Sequence, residues 1–172
     1  MNDPGEFEIQ KQIYLLVVKQ PGLNLSTIAE HLKISIPLAL YHLRYLEKND
    51  MLSSTKEEGF QRYYIKGKIG VKDQKFLSLF RQEMLLRIVL FLLKNPQSRH
   101  KDIVENFEIS RSLLSYYLKK LAKKGIILIQ EGDKERHYVI LNEEEIVRFL
   151  IKYEPYKMLE GMSDTWADFT MR

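Results

Sequence analysis

The segment ISRSLLSYYLKKLAKKGII, residues 109–127, decides the fold of this chain. Its leucines Leu114, Leu118 and Leu121 recur at three- and four-residue spacing, which predicts one apolar face of an α-helix. Ser110 precedes that helix, and a serine hydroxyl in this position accepts a backbone N–H and caps the helix. After a lysine- and glycine-containing turn, the pattern changes to the short apolar run of a β-strand. The segment therefore predicts a capped helix that leads into a strand.

A second copy of this segment, ISIPLALYHLRYLEKNDML, lies 75 residues earlier at positions 34–52. Without any gap, residues 13–65 align with residues 88–140, and 15 of the 53 pairs are identical. A repeat of this length indicates two structural units of one kind. The identical pairs are Ile13/Ile88, Leu15/Leu90, Lys19/Lys94, Pro21/Pro96, Ile28/Ile103, Glu30/Glu105, Ile34/Ile109, Ser35/Ser110, Leu38/Leu113, Tyr41/Tyr116, Leu43/Leu118, Leu46/Leu121, Lys48/Lys123, Tyr63/Tyr138 and Ile65/Ile140.

Both copies predict the same order of elements around the capped helix. A helix with apolar periodicity comes first, at Glu8–Lys19 in copy one and, unusually long, from about Asp73 to Leu93 in copy two. A proline-containing break, a short helix and a turn that ends in serine follow. Two strands joined by a polar tip then form a β-hairpin. The remaining predicted elements are the short helices Ser26–Leu32 and Lys101–Phe107 and the strands Met51–Thr55, Gln61–Ile65, Ile126–Gln130 and Arg136–Leu141.

Helix, helix, turn, helix and β-hairpin is the order of a winged helix-turn-helix. We therefore predict a mainly α protein with small β-hairpin wings, built from two winged helix-turn-helix domains in tandem plus a C-terminal helix. The first domain is predicted at residues 1–70 and the second, with the long leading helix, at residues 71–142. Residues 143–172 are predicted to form a C-terminal helix and an aromatic, acidic tail.

The two quoted segments resemble the recognition-helix segments of ArsR- and MarR-like regulators. The shared features are a serine, then L-x-x-L, then a polar turn before an apolar strand. Pairs of such modules are familiar among archaeal winged-helix regulators. The resemblance implies a DNA-binding role in transcription, although the cysteine clusters of metal-sensing ArsR relatives are missing because the chain has no cysteine.

Composition restricts the classes of protein to be considered. Hydrophobic residues make up 45% of the 172, which is typical of a globular protein, and no apolar run is long enough to cross a membrane. The acidic, polar N-terminus predicts no signal peptide, so we expect a cytoplasmic protein without membrane contact. The four histidines lack metal-ligand spacing, and no phosphate loop or nucleophile motif is present. We therefore predict no metal, no cofactor and no enzymatic activity.

Positive charge is concentrated in the second copy. The whole chain has a net charge of +4, whereas the first domain carries +1, the second +6 and the C-terminal region −3. A basic block of this kind indicates a nucleic-acid surface, although a solvated lysine-rich face has the same composition.

The polar face of the main helix in copy two provides the candidate DNA contacts. In a helix-turn-helix the second helix lies in the major groove, with its N-terminal residues nearest the bases. Arg111 is suited to read a guanine edge, and Lys119 is suited to contact a phosphate. Ser112, Ser115 and Tyr116 supply hydrogen bonds to bases or phosphates.

Further backbone contacts are predicted from the hairpin tip and the short helix of copy two. Lys134 and Arg136 lie at the tip, where the resembling families contact the DNA backbone. Arg99 and Lys101, with His100 between them, lie at the start of the short helix, where phosphates commonly bind.

The matching face of copy one is largely apolar, comprising Ile36, Pro37, Leu40, Tyr41 and Arg44. This face has no cation at its N-terminal end. It either contacts thymine methyl groups or binds a protein partner, and an exposed apolar patch usually indicates a partner.

Two functions of different classes fit these features. One is a sequence-specific regulator of transcription that binds double-stranded DNA through the second module. The alternative is a non-enzymatic protein-binding scaffold or an accessory factor of the transcription machinery. The long helix either braces the modules or forms a homodimer, and the C-terminal tail either packs on the modules or on a second subunit.

Overall fold

The computed structural model of the chain describes residues 4–132 and 135–155. The chain divides after Ser78 into two compact units, called unit 1 (Met1–Ser78) and unit 2 (Leu79–Arg172) below. Unit 1 contains α1 (Pro4–Lys19), β1 (Leu23–Asn24), α2 (Leu25–Leu32), α3 (Ile36–Lys48), β2 (Leu52–Glu57), β3 (Phe60–Ile65) and most of α4 (Val71–Phe80). Unit 2 contains α5 (Glu83–Lys94), β4 (Ser98–Arg99), α6 (His100–Phe107), α7 (Arg111–Lys123), β5 (Ile127–Glu131), β6 (Arg136–Ile140) and α8 (Glu143–Tyr153).

Each unit has a small antiparallel sheet with the same strand order. The orders are β1-β3-β2 in unit 1 and β4-β6-β5 in unit 2. Leu23 lies opposite Tyr63 in unit 1, and Ser98 lies opposite Tyr138 in unit 2, so the register also repeats at 75 residues. The predicted hairpins are confirmed. The two-residue strands β1 and β4 were not predicted, because two residues are too short to show an alternating pattern.

The main helix of each unit buries the face that its leucines predict. Leu114, Leu118 and Leu121 of α7 are at most 1% exposed. On α3 the matching residues Ala39, Leu43 and Leu46 are buried as well, so both predicted core faces are confirmed. Burial of one leucine side chain contributes about 1.5–3 kcal/mol, so these faces fix the orientation of the opposite, exposed faces.

Both main helices begin at the predicted serine caps. The Ser35 hydroxyl accepts the backbone N–H of Leu38 at 3.4 Å, and the Ser110 hydroxyl accepts that of Leu113 at 3.2 Å. These bonds satisfy N–H groups that have no partner within the helix. The caps therefore place residues 36 and 111 at the first turn of their helices.

The single long helix predicted from Asp73 to Leu93 is wrong, because the chain forms two helices with a break at Arg81–Gln82. Gln82 is extended (φ −84°, ψ 101°), and its carbonyl accepts the N–H of Leu85 at 2.9 Å as α5 starts. The Lys120 ammonium donates to the Gln82 side chain at 3.0 Å, and this contact within unit 2 stabilises the break. Neither proline nor glycine marks this break, and the apolar residues Phe80, Met84 and Ile88 keep a four-residue spacing across it, so periodicity alone could not show it.

Left-handed backbone positions recur between the units. The four pairs, each 75 residues apart, are Gly22 (φ 82°) with Gln97 (φ 60°), Lys33 (φ 54°) with Glu108 (φ 51°), Asp50 (φ 57°) with Gly125 (φ 72°), and Gly67 (φ 69°) with Asn142 (φ 52°). The backbone conformation therefore repeats even where glycine in one unit is replaced in the other by a residue for which positive φ is less favourable.

Gly22→Ala is expected to destabilise unit 1 by about 1–3 kcal/mol, because it combines positive φ with a steric clash. A Cβ at Gly22 would lie 3.1 Å from the ring of Tyr64, which is fully buried. Urea denaturation followed by circular dichroism measures the change. Gly70→Ala is the matched control, since nothing lies within 4 Å of its Cβ position. Equal stability of the two variants would contradict the assignment of strain to Gly22.

Candidate nucleic-acid interface

The exposed face of α7 carries the residues that were predicted to contact DNA. Arg111, Ser112, Tyr116 and Lys119 are exposed, and Ser115 is half-buried. Within the described residues, neither the Arg111 nor the Lys119 side chain has a carboxylate partner. Both cations are therefore available to an incoming anion, and Arg111 lies at the start of the helix.

A cavity of about 370 Å³ lies where the N-terminus of α6, the start of α7 and strand β6 meet. It brings together five residues that the sequence predicted separately. These five are Arg99, Lys101, Arg111, Ser115 and Arg136. His100, Glu135 and Tyr138 complete the lining, and Glu135 and Tyr138 were not predicted. We call this cavity the α6–α7 pocket.

Arg99 is held by two carboxylates inside unit 2. Its guanidinium donates to the Asp102 carboxylate at 2.9 and 3.0 Å and contacts Glu135 at 3.2 Å. The Asp102 carboxylate also accepts the backbone N–H of Arg99 at 2.9 Å. These bonds raise the pKa of Arg99 and lower the pKa of Asp102. Arg99 therefore orders the start of α6, and its charge is already balanced.

Two other cations of the α6–α7 pocket form exposed ion pairs. The Arg136 guanidinium donates to Glu131 at 2.9 Å across the hairpin, and the Lys101 ammonium lies 3.7 Å from Glu105. Exposed pairs of this kind contribute little, about 0–1 kcal/mol, so a phosphate can compete for either cation. Arg111 differs from both because no carboxylate competes for it among the described residues.

His100 connects α6 to α7 in the same cavity. Its Nε2 lies 3.1 Å from the Ser115 hydroxyl, which donates its own proton to the Arg111 carbonyl at 2.8 Å. The Nε2–H therefore donates to the serine oxygen. Burial lowers the pKa of His100, and the positive charge of Arg111 lowers it further. Ser115 is thus a link between the helices as well as a polar group on the reading face.

His137 has a structural role that repeats between the units. Its Nδ1 donates to the Gln97 carbonyl at 2.9 Å. In unit 1 the matching residue, Arg62, donates to the Gly22 carbonyl at 3.0 Å and is almost fully buried. Burial lowers the pKa of Arg62. Both side chains tie the sheet to the turn that precedes β1 or β4, a role that sequence spacing alone did not reveal.

Three predicted DNA contacts remain: Ser112, Lys134 and Tyr116. Ser112 contacts the capping Ser110 hydroxyl at 3.1 Å and is otherwise exposed. Lys134 lies outside the described residues. Tyr116 is 58% exposed and packs edge-on against Tyr117, which holds its ring at the surface of α7.

The exposed face of α3 in unit 1 forms an apolar groove. Its volume is about 510 Å³, and four of the predicted residues contribute to it. Ile36, the fifth, is 50% exposed at the start of the helix. The groove is lined by Pro37, Leu40, Tyr41, Arg44, Tyr45 and Lys48. Tyr45 and Lys48 were not predicted, although they follow Tyr41 and Arg44 at the four-residue spacing of one helix face.

Comparison with known proteins agrees with the geometry of unit 2. Residues 81–127 match the winged helix-turn-helix DNA-binding family. The matched span contains α5, α6 and α7 and reaches the first residue of β5. Within this span α6 and α7 are successive helices, and the β5–β6 hairpin follows directly after it.

One relative and two solved structures illustrate what the chain is similar to. An uncharacterized HTH-type transcriptional regulator of Methanocaldococcus jannaschii is 28% identical over 124 residues, which are 72% of this chain and 31% of that protein. This chain therefore spans less than a third of the relative's length. The mRNA-binding domain of elongation factor SelB from E. coli, in complex with SECIS RNA, aligns with 82% of this chain and all of that chain, at 13% identity and a TM-score of 0.31. ScpB from Mycobacterium tuberculosis aligns with 88% of this chain and 98% of its own, at 12% identity and a TM-score of 0.32.

Two kinds of feature are absent from the part of the chain that the structure describes. No helix in this part of the chain has both the length and the apolar character needed to cross a membrane. Across the same residues, no group of three or more histidine, cysteine, aspartate and glutamate side chains is placed to hold a metal ion.

Proposed function

We propose that this chain is a sequence-specific regulator of transcription that binds double-stranded DNA, with α7 of unit 2 in the major groove. The observation that carries the proposal is the position of Arg111. It is a cation with no carboxylate partner among the described residues, and it lies at the first turn of α7, within the span that matches the winged helix-turn-helix family. That is where such motifs bring side chains to the base edges.

The roles of the other residues follow from their places around Arg111. Lys119 lies two turns further along the exposed face and neutralises a phosphate. Ser112 and Tyr116 offer hydrogen bonds on the same face, and Ser115 positions His100 as well. Lys101 and Arg136, together with Lys134, contact the sugar-phosphate backbone on either side of the helix. Arg99 keeps a positioning role, because two carboxylates already hold it.

We also propose two winged helix-turn-helix domains in tandem, at residues 1–70 and 71–142, followed by the C-terminal region 143–172. Support comes from the strand registers and from four pairs of left-handed positions, which repeat at 75 residues. We further propose that the chain is an ArsR/MarR-like regulator of the archaeal type and that it is cytoplasmic. Under this proposal it forms a homodimer through residues 71–94 or through the tail. The proposal includes neither enzymatic activity nor a cofactor.

Salt dependence of duplex binding tests the proposed function. If α7 and the wing contact about four phosphates, affinity should fall about 100-fold or more between 50 and 200 mM salt, because bound cations release counterions. Fluorescence anisotropy with a labelled duplex measures this, and selection from a random duplex pool supplies the sequence. Absence of salt-sensitive duplex binding, even at low ionic strength, would overturn the proposal.

A second function is favoured by one observation in unit 1. The outer face of α3 has the apolar residues Ile36, Pro37 and Leu40 at positions where α7 has Arg111, Ser112 and Ser115. We propose that this face binds a protein partner of the transcription machinery, with Arg44 and Lys48 at the rim of the groove attracting carboxylates. Under this proposal the two units have different roles. A DNA footprint that requires the α3 face would overturn it.

A further inference from the structure

His100 is the side chain of the α6–α7 pocket whose ordinary pKa lies closest to neutrality. It is half-buried at the start of α6. The charged and titratable groups that face it are Arg99 and Lys101 from its own segment, Arg111 from α7, and Glu135, Arg136 and Tyr138 from β6. No other histidine lines this cavity.

The charges around His100 are balanced except at one point. Asp102 and Glu135 hold Arg99, Glu105 lies beside Lys101, and Glu131 holds Arg136. Arg111 is left as the cation without a carboxylate partner in the part of the chain that the structure describes. Burial of His100 and the positive charge of Arg111 both favour the neutral imidazole.

A phosphate in this cavity reverses that balance. One phosphodiester oxygen bound by Lys101 and Arg136, which line the same cavity, brings a negative charge to the side of the pocket where His100 lies. Like charges disfavour a second cation, whereas an anion within about 4–6 Å favours the charged form. The phosphate charge then opposes the effect of Arg111 on His100, and the protonated ring gains a partner.

We propose that the α6–α7 pocket seats one phosphodiester of the DNA backbone, and that His100 takes up one proton as the phosphate binds. The proton comes from solvent and is bound by the imidazole nitrogen that is unprotonated in the free protein. Because Nε2–H already donates to Ser115, that nitrogen is Nδ1. This inference rests on the proposed DNA binding and adds a linked proton to it.

The linkage fixes the sign of the pH dependence. His100 has a lowered pKa in the free protein and a higher one in the complex, so the complex binds more protons at neutral pH. Affinity for DNA should therefore rise as pH falls from 8 towards 6. The limiting slope is about tenfold per pH unit for one proton. We expect a gain of about 3- to 10-fold over this range, since a single group titrates only partly within it.

The test is duplex affinity at pH 6, 7 and 8 at constant ionic strength. The wild type should gain about 3- to 10-fold, and His100→Gln, which keeps a polar side chain but cannot be protonated, should change less than twofold. His31→Gln, on the exposed face of α2 in unit 1, is the matched control and should keep the wild-type slope. A flat wild-type profile, or a His100→Gln profile with the wild-type slope, would overturn the inference. Loss of duplex binding at every pH would instead overturn the proposed function.

Proton NMR of the histidine rings assigns the proton directly. The pKa of His100 should rise when a duplex is added and should not rise with inorganic phosphate at the same concentration. An equal rise with inorganic phosphate would overturn the backbone assignment in favour of a small-anion site. Burial also lowers the pKa of His42 in unit 1, so circular dichroism at each pH must show an intact fold.

Discussion

Replacement of Arg111 and Lys119 by alanine together is expected to reduce affinity for the selected duplex by about 30-fold or more. A bidentate arginine contact to a guanine contributes about 1–3 kcal/mol, and loss of one phosphate contact reduces the salt slope by about one. Neither side chain has a carboxylate partner among the described residues, so their loss breaks no internal ion pair. Anisotropy measured at two salt concentrations separates the two contributions.

The matched control uses the same positions in unit 1. Ile36→Ala with Arg44→Ala removes the residues that align with Arg111 and Lys119, and all four are exposed. We expect this control to change duplex affinity less than about threefold, as is usual for residues outside the binding surface. Equal losses from the two double variants would show that both units bind DNA alike, contrary to the proposed division of roles.

Leu114→Ala is expected to destabilise unit 2 by about 2–5 kcal/mol, the usual cost of a cavity left by a buried leucine. Leu114 is fully buried on α7. Its neighbour Leu113, in the same helix, is 41% exposed, so Leu113→Ala should cost less than about 1 kcal/mol. Urea denaturation measures both. If the two variants lost equal stability, the assignment of inner and outer faces of α7 would be wrong.

Much of unit 2 could be predicted from the sequence because its signals are local. The spacing of Leu114, Leu118 and Leu121 fixes one face of α7, and the opposite face follows from helix geometry. The serine caps and the hairpins are also local patterns. These features are sufficient to place Arg111 and Lys119 on an exposed face from the sequence alone.

The rest depended on contacts between residues far apart in the chain. Glu135 reaches Arg99 across 36 positions, and no spacing rule indicates that this arginine is already paired. The link from His100 to Ser115 joins two helices and likewise has no sequence signature. The break at Gln82 follows from a tertiary hydrogen bond with Lys120, whereas the local sequence favours an unbroken helix. Long-range pairing therefore sets which of the predicted cations remain available.

The recurring left-handed positions have a consequence for protein engineering. Helices α3 and α7 each have 13 residues, begin after a serine cap and are preceded by a left-handed residue, Lys33 or Glu108. Each is followed within two residues by another left-handed residue, Asp50 or Gly125. A transplanted segment would thus meet the same backbone at both ends in either host. We therefore expect that the exposed residues of α3 and α7 can be exchanged for one another without redesign of the flanking turns.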